Sequence, residues 1–311
     1  MFANLGIAVT KFVAFLLTAS SSMLAESVHS VADTSNQALL LLGGKRAKRA
    51  ATPDHPFGYG RERYVYGFVV SIVLFSLGGL FALYEAWHKW GDPHPIDSWQ
   101  WLPIVILLVA MCLEGYALRT AAVESNRTRG NRSWARFIRT AKAPELPVIL
   151  LEDLGALLGL TFALGGVSLT LLTGDGRWDA AGTAMIGLLL VVIAAVLAVE
   201  MKSLLLGESA SREHQTAIQN ALPGDGVDSV IHMRTMHLGP DELLVAAKIA
   251  VSPTSTAPEI AQAIDAAERR VRTAVPIARL IYLEPDLRRP GSTPAPADSA
   301  TASGEPPLDH G

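Results

Sequence analysis

The chain has 311 residues, half of them apolar and 18% charged, with a formal net charge of −3 and a single cysteine; its mean hydropathy is +0.31. So few charges exclude an ordinary soluble globule, and one cysteine excludes an internal disulfide and any thiolate metal cluster. Cys112, inside an apolar run, is expected to pack as a small hydrophobe.

Six segments, near 3–21, 24–44, 64–88, 100–121, 145–171 and 178–201, are long and apolar enough to cross a hydrocarbon core of roughly 30 Å at about 1.5 Å per residue. The first starts almost at Met1, without a basic leader and processing signal, and contains Lys11. A short inner end, or further residues upstream, would accommodate it. The second is the least apolar, because it carries Glu26, His29, Asp33, Asn36 and Gln37. At about 100° per residue, His29 and Asp33 lie about 40° apart, and Asn36 and Glu26 fall within roughly 60° of His29. Ionisable groups in hydrocarbon are costly and serve transport, proton movement or a specific pairing. A histidine and an aspartate one turn apart suit a metal site; a buried structural polar cluster fits the same spacing.

The loop after the second segment carries Lys45, Arg46, Lys48, Arg49, Arg61 and Arg63, and the loop after the fourth carries Arg127, Arg129, Arg132, Arg136, Arg139 and Lys142. These loops are expected to face the cytoplasm, which puts both termini there. The alternate loops, around Gly91–His94 and Gly174–Arg177, are poor in basic residues, and Trp87, Trp90, Trp99, Trp101 and Trp178 cluster near them as an interfacial belt. Topology and attraction to anionic lipid explain the basic loops, so no nucleic-acid partner is expected. Glu114, amid leucine and alanine, is expected to pair with an arginine near the cytoplasmic end of its helix. Gly78, Gly79, Gly155, Gly159, Gly165 and Gly166 are expected at close helix contacts or bends.

After Glu200 the composition turns soluble. A helix over 211–222, strands over 227–236 and 243–251, a helix over 257–275 and a strand over 277–283 give the order α-β-β-α-β of a small two-layer α+β domain. The expected division is a transmembrane domain over 1–202, a cytoplasmic domain over 203–286 and a disordered tail over 287–311, rich in Pro, Gly, Ser, Thr and Ala. His214, His232 and His237, with Glu284 and Asp286, read as scattered surface groups; His232 and His237, five positions apart, should face opposite ways. No nucleophile, base and orienting group come together, so no enzyme is expected.

Met23-Leu-Ala-Glu26 leading into His29-Ser-Val-Ala-Asp33, Asn36-Gln37 and the loop His55-Pro-Phe-Gly-Tyr-Gly60, in a six-helix unit followed by a small domain, resemble the cation diffusion facilitator family over about residues 3 to 286. The resemblance implies a homodimer with six transmembrane helices per protomer and a cytoplasmic ferredoxin-like domain. It implies efflux of a divalent metal cation, usually zinc, by proton antiport, without a prosthetic cofactor, in a bilayer such as the bacterial inner membrane. It assigns His29 and Asp33 as two metal ligands on the second helix and Asp153 as a third on the fifth, where Ile149 stands in place of the fourth. Asn36, Glu26, Glu152 or water are the candidate replacements, and such an oxygen-rich set also fits Mn²⁺, Fe²⁺ or Co²⁺. His29, Asp33 and Asp153 are the groups where protons would compete with the metal. In the loop the family's accessory site falls on His55 and Tyr59, and a tyrosine there argues for a structural loop. The missing ligand also admits a non-transporting metal sensor or interaction scaffold.

Overall fold

The computed structural model describes residues 2–96 and 99–288. The chain forms two compact units, one from residues up to Glu208 with Leu238–Asp241, the other from Ser209–His237 and Glu242 onward. The expected disordered tail lies, from residue 289 on, outside the described residues.

The first unit is helical. α1 (Phe2–Thr18) and α2 (Ser21–Ala47) are followed by a continuous helical rod of α3 (Glu62–Val73), a π-helical stretch (Leu74–Leu80) and α4 (Phe81–Gly91). Then come α5 (Trp101–Arg129), the short α6 (Trp134–Thr140), α7 (Glu145–Thr173) and α8 (Arg177–Leu206). Among the described residues four helical spans, Glu62–Gly91, Trp101–Arg129, Glu145–Thr173 and Arg177–Leu206, are long and apolar enough to cross a membrane. α2 has the length but not the apolar composition, because of its polar stripe. α5 extends well past the apolar run ending near residue 121, since its polar last turns still favour helix.

α7 lies along α8 and α5, and the 62–91 rod lies along α8. Small residues make these approaches close. A Cβ at Gly187 would sit 2.9 Å from Leu83 N and 3.0 Å from Gly79 O, and one at Gly166 would sit 2.8 Å from Trp178 O. Gly78, Gly79, Gly155 and Gly159 also abut neighbours, whereas Gly165 faces open space. Cys112 is exposed, not packed: in a helix bundle whose outer face is apolar, a small hydrophobe is as well placed outside as inside.

The α1–α2 joint is polar and buried. Ala19 takes a positive φ of 52°, and Ser20 caps α2. Asp179, in the first turn of α8 and fully buried, accepts from Ser20 Oγ at 2.9 Å and from Ser21 N at 2.7 Å. Ser21 and Ser22 hydroxyls meet Thr183 Oγ1 at 2.9 and 3.1 Å, and Lys89 Nζ donates to Ala19 O at 2.8 Å. The orphan N–H groups that open a helix are thus satisfied across the bundle by a carboxylate.

The second unit follows the expected order: α9 (Arg212–Ala221), β1 (Ser229–Gly239), β2 (Glu242–Ala250), α10 (Ala257–Ala274) and β3 (Ala278–Asp286). Its sheet has the order β1-β2-β3, with β2 and β3 parallel and Val245 opposite Ile281. A parallel neighbour needs a crossover, which α10 supplies. Ile218, Leu222, Val245, Ile249, Ala267, Val271 and Ala278 form its core. Glu259 accepts from Thr256 N at 2.7 Å and Thr256 Oγ1 at 2.9 Å, and these bonds hold its carboxyl below the ordinary glutamate range.

Candidate cation site

The polar residues of α2 lie where a helix of period 3.6 puts them, along one buried stripe. Glu26, His29, Ser30 and Asn36 are all at most 4% exposed. Two of these groups are matched by partners from other helices. Lys11 Nζ of α1 donates to Glu26 Oε2 and to Ser30 Oγ, each at 2.9 Å, and Gly159 of α7 leaves room for Glu26, whose Oε1 would be 2.9 Å from a Cβ there. Asn36 Nδ2 donates to Glu152 Oε1 of α7 at 2.6 Å.

One oxygen of each, Glu26 Oε1 and Asn36 Oδ1, is left over, and His29 and Asp33 are matched less still. Both ring nitrogens of His29 and Oδ1 of Asp33 are buried without a hydrogen-bond partner. His29 Nε2 and Asp33 Oδ2 face each other at 3.6 Å, too far for a hydrogen bond. Leaving such groups unsatisfied is costly. An imidazole nitrogen and a carboxylate oxygen turned to one point are the donors a divalent transition metal accepts.

Asp153 stands on α7, one position from Glu152 but turned into a cavity of about 480 Å³ that Gln37, Glu114 and Ile149 also line. It is within electrostatic reach of Asp33 and Glu114. His29, Asp33 and Asp153 therefore share one neighbourhood, although among the described residues no three His, Cys, Asp or Glu side chains converge tightly enough to hold a metal ion. Of the candidate replacements, Glu26, Asn36 and Glu152 each have a protein partner, while Glu26 Oε1 and Asn36 Oδ1 stay buried without one.

The residues hidden from sequence reasoning are Lys11 and Glu114. A lysine in an apolar helix signals an anionic partner, but helix register decides that the partner is Glu26. Glu114 does not pair with arginine as expected: Arg119, the nearest arginine in sequence, is exposed, and Glu114 lines the cavity beside Asp153.

The other described histidines lie elsewhere. His55 stacks on Tyr59 with ring centroids 4.6 Å apart, Arg49 covers the Tyr59 ring at 4.5 Å, and Gly58 takes φ 77° to turn the loop, all features of a structural loop. His232 is exposed on β1, whereas His237 is buried and so is not the surface group expected; the two differ as opposite faces would. Lys248 reaches Glu284 at 2.9 Å and Asp286 at 3.3 Å.

A bundle of long apolar helices with ionisable groups buried inside it defines a multi-pass membrane protein. The chain belongs to the cation efflux family, whose transmembrane-domain profile matches residues 1–206. It is 32% identical over 224 residues to the human proton-coupled zinc antiporter SLC30A9, mitochondrial, covering 71% of this chain and 39% of the relative. It is 27% identical over 242 residues to metal tolerance protein C4 of Arabidopsis thaliana, covering 77% of this chain and 53% of the relative. It is 23% identical over 299 residues to the magnetosome protein MamM of Magnetospirillum gryphiswaldense, covering 91% and 85%. The chain thus spans well under two thirds of the first two relatives' length. It is a multi-pass membrane protein of this family.

Proposed function

We propose that the chain exports a divalent metal cation, with Zn²⁺ as first candidate and Mn²⁺, Fe²⁺ and Co²⁺ as alternatives, by alternating access coupled to inward proton movement. The observation that carries this reading is the buried His29–Asp33 pair with its unpartnered donor atoms. The similarity to the human proton-coupled zinc antiporter supports the choice of zinc and of antiport.

In this reading α1 and α2 also cross the membrane, giving six spans with both termini cytoplasmic, and residues 203–286 form a ferredoxin-like domain of a homodimer. The basic residues that flank α2 and α5 favour that orientation. The membrane must hold a proton gradient, as the bacterial inner membrane does. Cytoplasmic cation reaches Asp153 and then the His29–Asp33 pair, displacing protons, since metal and proton compete for the same lone pairs. Protonation from the far side weakens the ligands and releases the metal outward.

Purified full-length protein in sealed vesicles, with a metal-sensitive dye inside, tests this across Zn²⁺, Mn²⁺, Fe²⁺ and Co²⁺ at two pH gradients. Saturable flux that grows with the gradient, and loses that dependence in His29→Ala, is expected. Absence of saturable flux for all four metals would favour the sensor or scaffold reading that Ile149 raises.

A further inference from the structure

α1 carries a single charged residue, Lys11, in an otherwise apolar run. Seven residues separate it from the nearer helix end at Thr18, about 10 Å along the axis, and its side chain is buried, not led out to water. The ammonium meets two oxygens of α2 that lie one turn apart, Glu26 Oε2 and Ser30 Oγ, each at 2.9 Å. A second tie holds the same register, since Ser27 Oγ donates to Ala8 O of α1 at 3.0 Å. Glu26 Oε1 has no partner and takes up space that a glycine leaves on α7, where a Cβ at Gly159 would come within 2.9 Å of it.

A buried ion pair is often no more stabilising than packed apolar side chains, so stability alone does not account for this one. What Lys11 brings to the stripe is one positive charge at a point faced by a carboxylate and a hydroxyl, both buried. Such oxygens are the donors that small hard cations take. One carboxylate balances one charge, and a divalent ion in its place would leave a net charge buried. The 2.9 Å contacts are at the ordinary ammonium–oxygen separation, which K⁺, an ion of similar size, can share.

We propose that the Lys11 ammonium is a resident cation: tethered to α1, it fills a monovalent-cation site formed by Glu26 and Ser30 and so keeps free K⁺ and ammonium out of the polar stripe. The site itself does not depend on the transport reading, but its consequence for flux rests on it. His29 lies between Glu26 and Ser30 in the sequence of α2, so an ion that came and went at Glu26 would change the charge beside the proposed transport pair. A tethered ammonium keeps that charge constant. Export is then indifferent to K⁺ on either side, and Lys11 determines specificity without touching the exported metal.

The test removes the tether in the purified full chain. In Lys11→Ala, K⁺, ammonium or methylammonium should raise the melting temperature saturably by about 2 °C or more, whereas the bulky N-methylglucamine cation at equal ionic strength should not. Wild type, and Lys11→Ala combined with Glu26→Gln, should show no such rise. In sealed vesicles, exchanging N-methylglucamine for K⁺ should shift the half-saturating Zn²⁺ concentration of Lys11→Ala by about fivefold or more and leave that of the wild type unchanged. Should Lys11→Ala not fold in N-methylglucamine, recovery of folded protein on adding methylammonium becomes the readout, and recovery with none of the three small cations overturns the proposal. A saturable K⁺ response in the wild type, or a response of Lys11→Ala that survives Glu26→Gln, also overturns it and leaves the transport reading standing. A wild type without saturable metal flux overturns the transport reading, while the melting series still decides the site.

Discussion

Replacing Lys11 by methionine removes the ammonium from a buried ion pair and leaves Glu26 facing Gly159 without its counter-charge. Lys11 and Glu26 are 1% and 0% exposed, with Nζ and Oε2 2.9 Å apart. At that separation two unit charges attract by about 6 kcal/mol at an effective dielectric near 20, most of which offsets the desolvation of both groups. Loss of one partner exposes that desolvation cost, so Lys11→Met should destabilise the protein by about 3 to 5 kcal/mol. Removing both charges, in Lys11→Met with Glu26→Gln, should recover most of it, giving a coupling of at least about 2 kcal/mol. Equilibrium unfolding of the four proteins in mixed micelles at neutral pH measures the cycle. A coupling within about 0.5 kcal/mol of zero would show that the two groups do not meet, and would refute the placement of α1 against α2.

Further outcomes follow from the packing. Gly187→Ala should cost about 1 to 3 kcal/mol, because its new Cβ would press on the backbone at Leu83 N and Gly79 O; Gly155→Ala, which meets only the flexible side-chain ends of Ile193 and Leu190, should cost less, and thermal denaturation ranks the two. Asp179→Ala should strip the cap from the buried start of α2 and lower stability by about 2 kcal/mol or more, while Asp179→Asn, which keeps an acceptor, should lose less in the same assay. For Glu259, the folded carboxyl sits below its unfolded range, so its contribution is present above the unfolded value and disappears as pH falls through the folded one. The protection of α10 amides, corrected for the intrinsic exchange rate at each pH, should therefore fall on acidification from pH 5 to pH 3, taken as about one unit either side of that range, and less so in Glu259→Gln.

Much of the architecture was legible because it is periodic. The α2 stripe, the apolar rods and the α-β-β-α-β order each repeat a local pattern that fixes an element and its buried face. What was not legible depends on how separate helices align. Lys11 and Glu26 are 15 residues apart, Asn36 and Glu152 116, Ser21 and Asp179 158, and no local rule sets the register between their helices. Glu114 shows the same gap: its sequence neighbours include Arg119, yet the fold turns it to Asp153.

The central claim is that His29, Asp33 and Asp153 carry a cation across the membrane, and the most direct measurement is flux through Asp33→Asn and Asp153→Asn in sealed vesicles with an opposing proton gradient. The account predicts saturable, gradient-dependent metal flux in the wild type and none above empty vesicles in either variant. Wild-type flux retained in both variants, with unchanged saturation and pH dependence, would contradict it.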